Sequence, residues 1–327
     1  MSYKDTLTDF KTMDLLEMRP EGFLQTILDR QLSNIEAVNA GEGWKNRDYC
    51  PVCGSVNKKF KFSKFSFDLY ECLECQTGFF DKVPVCTNDV YSSSHALTDA
   101  KIAYLANKDY RKERFAKERV ELLESILKED ILNKRVLDIG CGTGWFLEYA
   151  QSKGAICYGV ELGKQLAEFT RELLDITVWN CELADINTEQ RFSIITMFDL
   201  IEHVYEPVSL LESAKNLLEP NGIILIFTPQ FDSVAIHEMK DKSNLIMPSE
   251  HLSYFTKNSI EFIASKVDMK LEYYCTKGID IGDLKSFYEF QQQNEMAEAM
   301  VSLYDIIQPT IDASDSGNHL RAVLRKK

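Results

Sequence analysis

The chain has 327 residues, of which 45% are hydrophobic, and its formal net charge at pH 7 is −14. This length and apolar content predict one large folded domain with a smaller one attached, and they exclude a disordered chain. The negative charge argues against a strongly basic protein that binds nucleic acid regardless of sequence. The longest apolar run, residues 222–227, is too short to cross a bilayer.

Residues 1–44 have the pattern of a helical arm. Apolar side chains such as Leu24, Leu28 and Ile35 recur at helical spacing, and a glycine at position 41 ends the pattern. The first residues are polar and lack the apolar core of a signal peptide, so we expect a cytoplasmic protein.

Residues 45–85 have the pattern of a zinc ribbon. Two Cys-x-x-Cys pairs are separated by a stretch of the length found in zinc ribbons. Four thiolates at this spacing favour a closed tetrahedral zinc site that stabilises a segment with a small core. The predicted metal ligands are Cys50, Cys53, Cys72 and Cys75.

Lysine and phenylalanine alternate between the two cysteine pairs. Such a stretch can be a nucleic-acid surface, or a two-stranded ribbon with one packed face and one solvated face. The acidic charge of the whole chain favours the packed ribbon and makes a nucleic-acid partner the weaker expectation. The residues concerned are Lys58, Lys59, Phe60, Lys61, Phe62, Lys64 and Phe65.

Residues 86–327 alternate between helical and strand patterns. Near-continuous apolar strands separated by helices predict a mostly parallel, doubly wound sheet of the Rossmann-like α/β class. Strands are predicted at residues 135–138, 156–161, 177–179, 192–198 and 223–228, and helices at 104–127, 145–152, 165–174 and 207–218.

The end of the chain departs from this alternation. Strand patterns at residues 271–275 and 319–324 flank a mostly helical insertion at roughly residues 280–315. We expect the second of these strands to complete the edge of the sheet.

A glycine-rich turn joins the first strand of this region to the helix that follows. Asp138 precedes glycines at positions 140, 142 and 144, and Glu161 ends the next strand. Glycines let a ligand approach backbone N–H groups closely, and a carboxylate in the position of Glu161 can accept both hydroxyls of a ribose. The third glycine comes one residue earlier than in the dinucleotide pattern. Asp138 suits an amino or sulfonium group better than a pyrophosphate.

The segment Val136–Gly144 resembles the first motif of class I S-adenosylmethionine-dependent methyltransferases. Residues 198–204 resemble the signature that follows the fourth strand in this family, and residues 218–222 resemble the turn into the fifth. The resemblance covers roughly residues 100–327 and implies a methyltransferase that binds S-adenosylmethionine. The segment before the first motif, with His95 and Tyr104, often folds as a lid over the cofactor in this family.

The resemblance also assigns residues to the parts of the cofactor, although its adenine segment varies within the family. Asp138, Gly140, Cys141, Gly142 and Gly144 would line the methionine end, Glu161 and Leu162 would hold the ribose, Glu182 and Leu183 would flank the adenine, and Asp199 would close the pocket.

Two histidines are candidate bases for removing a proton from the acceptor. His251 lies in a segment, residues 247–255, that resembles one bordering the active site in sugar-modifying methyltransferases, and Glu250 beside it could orient the imidazole. His203 follows the fourth strand of the sheet, at the edge where ligands bind. Each histidine has an equally good structural interpretation, His251 as a loop anchor and His203 as a helix cap or loop contact.

A ribbon of this type on a methyltransferase resembles the arrangement in sugar and natural-product methyltransferases. Relatives that methylate a sugar carbon carry an extra domain after the catalytic one, and this sequence ends at its last predicted strand. This departure argues against a carbon acceptor and leaves oxygen or nitrogen. Of these we expect a hydroxyl of a small acceptor, a sugar or nucleotide-linked sugar. An RNA or protein methyltransferase that uses the ribbon for recognition is the alternative, and a non-catalytic cofactor-binding protein is a third interpretation.

Overall fold

The computed structural model describes residues 19–86 and 112–327. Its first element is helix α1, Phe23–Ala40, which buries Leu24, Leu28, Ile35 and Val38 along one side. The backbone N–H of Gly41 closes the helix by bonding to the last turn, as the glycine pattern predicts. Residues 1–18 of the predicted arm, residues 104–111 of the predicted helix 104–127 and the predicted lid residues lie outside the described part of the chain.

The predicted ribbon contains five short strands. Strands β2, β3 and β4 form an antiparallel sheet in that order, and β1 pairs with β5. The turn between β2 and β3 has positive φ at Phe65 (49°) and Ser66 (68°), which matches the right-handed twist of a tight hairpin. The strands are β1 Trp44–Asn46, β2 Lys58–Lys64, β3 Phe67–Cys72, β4 Gly78–Phe80 and β5 Lys82–Pro84.

The remaining described residues form the α/β part. Most of its predicted strands and helices are observed within two residues of their predicted bounds. The helices are α2 Lys117–Leu127, α3 Trp145–Ser152, α4 Lys164–Leu174, α5 Pro207–Leu217, α6 Val234–Met239, α7 Lys257–Lys266, α8 Asp280–Phe290 and α9 Asn294–Ala313. The strands are β6 Arg135–Ile139, β7 Ile156–Val160, β8 Thr177–Trp179, β9 Phe192–Phe198, β10 Leu218–Pro229, β11 Met269–Thr276 and β12 His319–Lys326.

Seven strands form one sheet in the order β11-β12-β10-β9-β6-β7-β8. The pairs from β10 to β8 are parallel, and β12 runs antiparallel to both of its neighbours. The prediction of a mostly parallel, doubly wound sheet is confirmed. Strand β6 has β7 on one side and β9 on the other, so the order of the strands reverses at β6. Ligands bind outside the carboxyl ends of the strands at such a point, and we therefore expect a ligand crevice at the end of β6.

The prediction that β12 completes the edge of the sheet is wrong. This strand lies between β10 and β11, and its residues Leu320, Ala322, Val323 and Leu324 are fully buried. Strand β11 occupies the edge instead, with several partly or fully exposed positions. Order along the chain does not determine order in space here, because a strand that is apolar on both faces is more stable in the interior.

The ribbon packs directly against the α/β part. Gly78 and Tyr254 exchange two backbone hydrogen bonds, with N···O distances of 2.9 and 2.8 Å. Phe79 is fully buried in a hydrophobic cluster that also contains Ile260 and Ile263 of α7. The predicted boundaries at residues 44/45 and 85/86 therefore mark changes of sequence pattern. The hydrophobic packing continues from the ribbon into the α/β part.

The C-terminal insertion consists of α8 and α9 and is tied to the start of β12. The buried carboxylate of Asp280 accepts hydrogen bonds from the backbone N–H groups of Ala235 (3.1 Å) and Asn318 (2.9 Å). Asp283 pairs with Arg19, next to the start of α1. Within residues 19–86 and 112–327, none of the helices has the length and hydrophobicity that a membrane crossing requires.

Replacing Phe79 with alanine tests whether the ribbon shares its core with the α/β part. We expect a loss of about 3–5 kcal/mol in the free energy of unfolding, because the change leaves a cavity in the shared cluster. Urea unfolding followed by far-UV circular dichroism measures this. Phe60→Ala is the matched control, since Phe60 is 51% exposed, and it should cost less than about 0.5 kcal/mol. If the ribbon of Phe79→Ala unfolded in a separate step at lower urea concentration than the α/β part, the shared core would be contradicted.

Candidate active site

The turn after β6 leaves a bare backbone surface at the carboxyl edge of the sheet. Gly140, Gly142 and Gly144 all have positive φ (74°, 52° and 76°). A Cβ atom at Gly144 would lie 2.6 Å from a side-chain carbon of Thr170 in α4, so this glycine permits close packing of the helix. Among the described residues, nothing would lie within 4 Å of a Cβ at Gly142. The open space next to Gly142 is therefore the part of the turn available to a ligand.

Glu161 directs its carboxylate to this turn from the end of β7. It accepts hydrogen bonds from the backbone N–H groups of Gly142 (3.0 Å) and Gly163 (2.8 Å). Burial raises the pKa of this carboxyl group, and the hydrogen bonds oppose that shift. The side-chain amide of Asn180 donates to the carbonyls of Glu161 and Leu162, at 2.8 Å each. These contacts fix the carboxylate beside the space at Gly142, and its role as a ribose-binding acid remains a prediction.

Asp138 lies beneath the same turn and is almost completely buried. The hydroxyl of Thr196 donates a 2.6 Å hydrogen bond to its carboxylate. Burial raises the pKa of Asp138 to about 7, although the bond from Thr196 and the charge of Arg119 act in the opposite direction. A cationic ligand next to this carboxyl group would favour its ionised form.

Arg119 of α2 is a candidate binding residue that sequence analysis did not identify. Its guanidinium group packs over the rings of Phe198 (3.8 Å) and Trp145 (4.3 Å), measured to the ring centroids. Although Arg119 is buried, its Nε and Nη1 atoms have no hydrogen-bond partner among the described residues. Burial lowers its pKa to about 10, and the carboxylates of Asp199 and Asp138 oppose this shift, so the group stays charged at neutral pH. A buried cation with two unsatisfied donors can bind an anionic group.

The sequence contains no local signal for this role. Arg119 is one of several charged residues in a helix, and its proximity to the rings at the ends of β9 and α3 arises only when the sheet forms.

The other predicted cofactor residues lie along the same edge of the sheet. Asp199 follows β9, and its carboxylate is half exposed and 3.4 Å from the Nε2 atom of His319 at the start of β12. Cys141 is buried within the turn, whereas Leu162 is exposed. Glu182 is exposed after β8, and Leu183 next to it packs into the core. Their assignment to particular parts of the cofactor remains a prediction.

The two predicted catalytic histidines lie next to each other. The rings of His203 and His251 have centroids 4.8 Å apart and are nearly perpendicular. The Nδ1 atom of His203 is 2.9 Å from the carbonyl oxygen of Glu250, and the Nδ1 atom of His251 is 2.8 Å from that of Leu245. A carbonyl only accepts hydrogen bonds, so these contacts assign the proton of each neutral ring to Nδ1 and leave Nε2 as the acceptor nitrogen.

Burial lowers the pKa of both histidines. His251 is only 4% exposed, and its pKa lies well below the ordinary value because the neighbouring His203 acts in the same direction as burial. Both rings are therefore neutral at pH 7. The structure brings the two residues together, and their role as bases remains a prediction.

The four predicted zinc ligands also converge. Their sulfur atoms all lie within 4.8 Å of one another. Cys50 approaches Cys75 (3.4 Å) and Cys53 approaches Cys72 (3.3 Å), so each contact joins one cysteine pair to the other. Tetrahedral zinc with bonds of about 2.3 Å needs sulfur atoms about 3.8 Å apart. The cluster fits this geometry after a small expansion.

Three of the four lysines of β2 are engaged in contacts within the protein. Lys64 is buried and donates a 2.7 Å hydrogen bond to the carbonyl of Ser243. Lys61 pairs with Glu71 at 2.7 Å, and Lys58 lies over the ring of Tyr70. These contacts favour the packed hairpin over a nucleic-acid surface.

The family model described as a methyltransferase domain matches residues 108–273, just over half of the chain. A ubiquinone biosynthesis O-methyltransferase of Neisseria meningitidis serogroup C is 28% identical over 170 residues, which cover 48% of this chain and 68% of the relative. One from Glaesserella parasuis serovar 5 is 32% identical over 109 residues, 30% of this chain. The chain spans 46% of the length of the latter relative.

Among solved structures, the plantazolicin methyltransferase BpumL in complex with a triazolic substrate analogue and SAH has a TM-score of 0.50. It is 17% identical, and the match covers 74% of this chain and 94% of that one. This similarity supports the fold. Both relatives are named for ubiquinone biosynthesis, so they do not support the sugar acceptor that the sequence suggested.

Replacing Arg119 with methionine tests its role in binding an anionic group. We expect the affinity for S-adenosylhomocysteine to fall about 10- to 100-fold, because a charge-assisted contact to the amino-acid carboxylate is lost. Binding of 5′-methylthioadenosine, which lacks that carboxylate, should not change. Isothermal titration calorimetry with both compounds measures the difference. The control is Arg135→Met, since Arg135 begins β6 at the opposite edge and pairs with Glu219. Equal weakening of both ligands in Arg119→Met would contradict the assignment.

Proposed function

The chain belongs to the methyltransferase-domain family, and from this premise we propose that it transfers a methyl group from S-adenosylmethionine to a hydroxyl of a small acceptor. The observation that carries the proposal is the open space at Gly142, whose backbone N–H bonds to the carboxylate of Glu161, together with Asp138 buried near the end of β6. A crevice of this kind suits a ligand with a ribose and a positively charged end. A dinucleotide would instead bring a pyrophosphate close to the buried Asp138.

Four residues would hold the cofactor in this proposal. Glu161 would accept hydrogen bonds from the ribose hydroxyls, and Asp138 would face the positively charged methionine end. Arg119 would bind the carboxylate of that end. Gly142 would allow close approach of the ligand to the backbone. The cofactor supplies an activated methyl group, so the protein's task is to orient the acceptor and to remove its proton.

The acceptor is proposed at the level of a hydroxyl group. The word O-methyltransferase in the names of the matched relatives supports an oxygen acceptor. The engaged lysines of the ribbon support a small molecule over RNA. The experiment below distinguishes a sugar hydroxyl from a phenolic hydroxyl, because its panel contains acceptors of both kinds.

His251 and His203 are the proposed proton acceptors. Both rings are neutral at pH 7 and have Nε2 as the acceptor nitrogen, which is the state that a general base requires. His203 is the more accessible of the two, with 20% of its side chain exposed. His251 is buried, and an acceptor would reach it only after the surrounding loop moved.

Methyl transfer is tested with S-adenosylmethionine that carries a tritiated methyl group. We expect label in at least one low-molecular-weight hydroxyl compound from a panel of catechols, phenols, monosaccharides and nucleotide sugars. Gly142→Ala should reduce this labelling about tenfold or more, because the new methyl group would occupy the space beside Glu161. Scintillation counting after chromatographic separation measures the product.

The control for this variant is its stability. Gly142→Ala should cost about 1–2 kcal/mol, because alanine is strained at positive φ. Gly144→Ala should cost more, since its Cβ would also collide with Thr170. Label found only in RNA or protein fractions would refute the small acceptor. Cofactor binding without label in any fraction would refute the enzyme.

We also propose that the four clustered cysteines bind one structural zinc ion, as thiolates kept reduced in the cytoplasm. Four sulfur ligands fill the tetrahedral shell, so this ion would have no open position for catalysis. It would stabilise the ribbon, and through the Gly78–Tyr254 contact it would stabilise the loop that carries His251.

Replacing Cys72 with serine tests the zinc site. We expect loss of the ribbon zinc and a thermal midpoint about 10 °C lower, because metal binding contributes to the folding free energy. Inductively coupled plasma mass spectrometry and differential scanning fluorimetry measure the two effects. Cys86→Ser is the control, since Cys86 lies outside the cluster. A wild-type protein that is equally stable without zinc would contradict the proposal.

A further inference from the structure

A second group of possible metal ligands lies apart from the cysteine cluster. It consists of Glu202, His203 and His251, and one donor atom of each lies within 4.8 Å of the other two. Glu202 and His203 belong to the 3₁₀ turn Ile201–His203 that follows β9. His251 comes from the loop before α7. The carboxylate is buried, and both rings are largely shielded from solvent.

The orientation of the two imidazoles is the first argument for a metal. Each ring donates its Nδ1–H group to a backbone carbonyl, that of Glu250 for His203 and that of Leu245 for His251. Histidines that bind metals usually have this arrangement, because the bond at one nitrogen fixes the ring and leaves the other nitrogen directed at the ion. Both Nε2 atoms thus have the protonation state of a ligand.

The carboxylate of Glu202 is the second, independent argument. Its side chain is only 2% exposed, and its Oε2 atom accepts a 2.8 Å hydrogen bond from the hydroxyl of Thr228. Its Oε1 atom has no hydrogen-bond partner among the described residues and lies 4.0 Å from Nε2 of His203. A buried carboxylate oxygen without a partner costs free energy, which a cation at this position would remove.

We propose that Glu202, His203 and His251 bind a divalent first-row transition-metal ion. Two imidazoles and one carboxylate suit Zn²⁺, Mn²⁺, Fe²⁺ or Co²⁺, and a three-ligand site leaves open positions. The hydroxyl oxygen of an acceptor can fill one of them, and this role rests on the proposed function. A bound hydroxyl loses its proton to water more easily. Its oxygen then bonds to the methyl carbon, while the sulfur–carbon bond of the cofactor breaks and leaves its electron pair on sulfur.

Co²⁺ titration of the full chain with zinc already in the ribbon tests the site without any acceptor. We expect one additional Co²⁺ per chain, detected by its visible absorption and by mass spectrometry of the metal content. The spectrum should lack the intense near-ultraviolet bands of thiolate ligation, because the proposed ligands are nitrogen and oxygen. The wild-type result alone decides the proposal, and failure to bind a second Co²⁺ would overturn it.

Variants then identify the ligands. Glu202→Gln and His251→Gln should each weaken Co²⁺ binding about 100-fold or more. Loss of a residue that only orients a metal ligand already lowers metal affinity by about 10- to 100-fold, and loss of a ligand itself should lower it further. His237→Gln is the control, because His237 is exposed and lies outside the cluster. Circular dichroism and S-adenosylhomocysteine binding show whether each variant is folded, and the ribbon zinc should remain in all of them.

These measurements separate the metal proposal from the proposed function. Cofactor binding and methyl transfer without a second metal, unaffected by a chelator that leaves the ribbon zinc in place, would overturn the metal site and leave the histidines as bases. Stoichiometric Co²⁺ binding lost only in the ligand variants would support the site even if no acceptor in the panel were methylated.

Discussion

The proposed cofactor site depends on a turn that must bring the carboxylate of Glu161 to bare backbone without filling the space beside Gly142. Parallel strands end at one edge of the sheet, so Asp138, near the end of β6, and Glu161, directly after β7, lie towards the same edge. Gly142 keeps the space open, whereas Gly144 lets α4 pack behind it. Burial raises the pKa of Asp138, the charge of Glu161 acts in the same direction, and the nearby Arg119 partly offsets this shift.

The loop before α7 connects this crevice to the ribbon. Tyr254 forms a two-way backbone bridge with Gly78, and the buried guanidinium of Arg47 donates a 2.7 Å hydrogen bond to the carbonyl of Leu252. The backbone N–H of Leu252 in turn bonds to the carbonyl of Glu202 at 2.7 Å. The ribbon thus supports the loop that carries His251, which gives the small cysteine-rich segment a positioning role next to the site.

Local patterns predicted most of the fold and part of the site. The strand at residues 192–198 and the helix at residues 145–152 are observed at their predicted bounds, because apolar periodicity and turn residues act over a few neighbours. The interior place of β12 was not predictable in this way, since pairing with β10 and β11 joins distant segments. The packed state of Lys64 is also a tertiary property, because its partner Ser243 lies far along the chain.

The sequence by itself determined the glycine turn, the acids on either side of it, the two cysteine pairs and the alternation that produces a parallel sheet. Each of these features lies within a short segment, so the residue types and their spacing along the chain are enough to predict it. Only the tertiary structure decided that the buried guanidinium of Arg119 lies over Phe198 and Trp145 with two donors that lack partners among the described residues. It also decided that His251 meets Glu202 and His203. Contacts of this kind depend on which surfaces are buried together, and that follows from the packing of the whole chain.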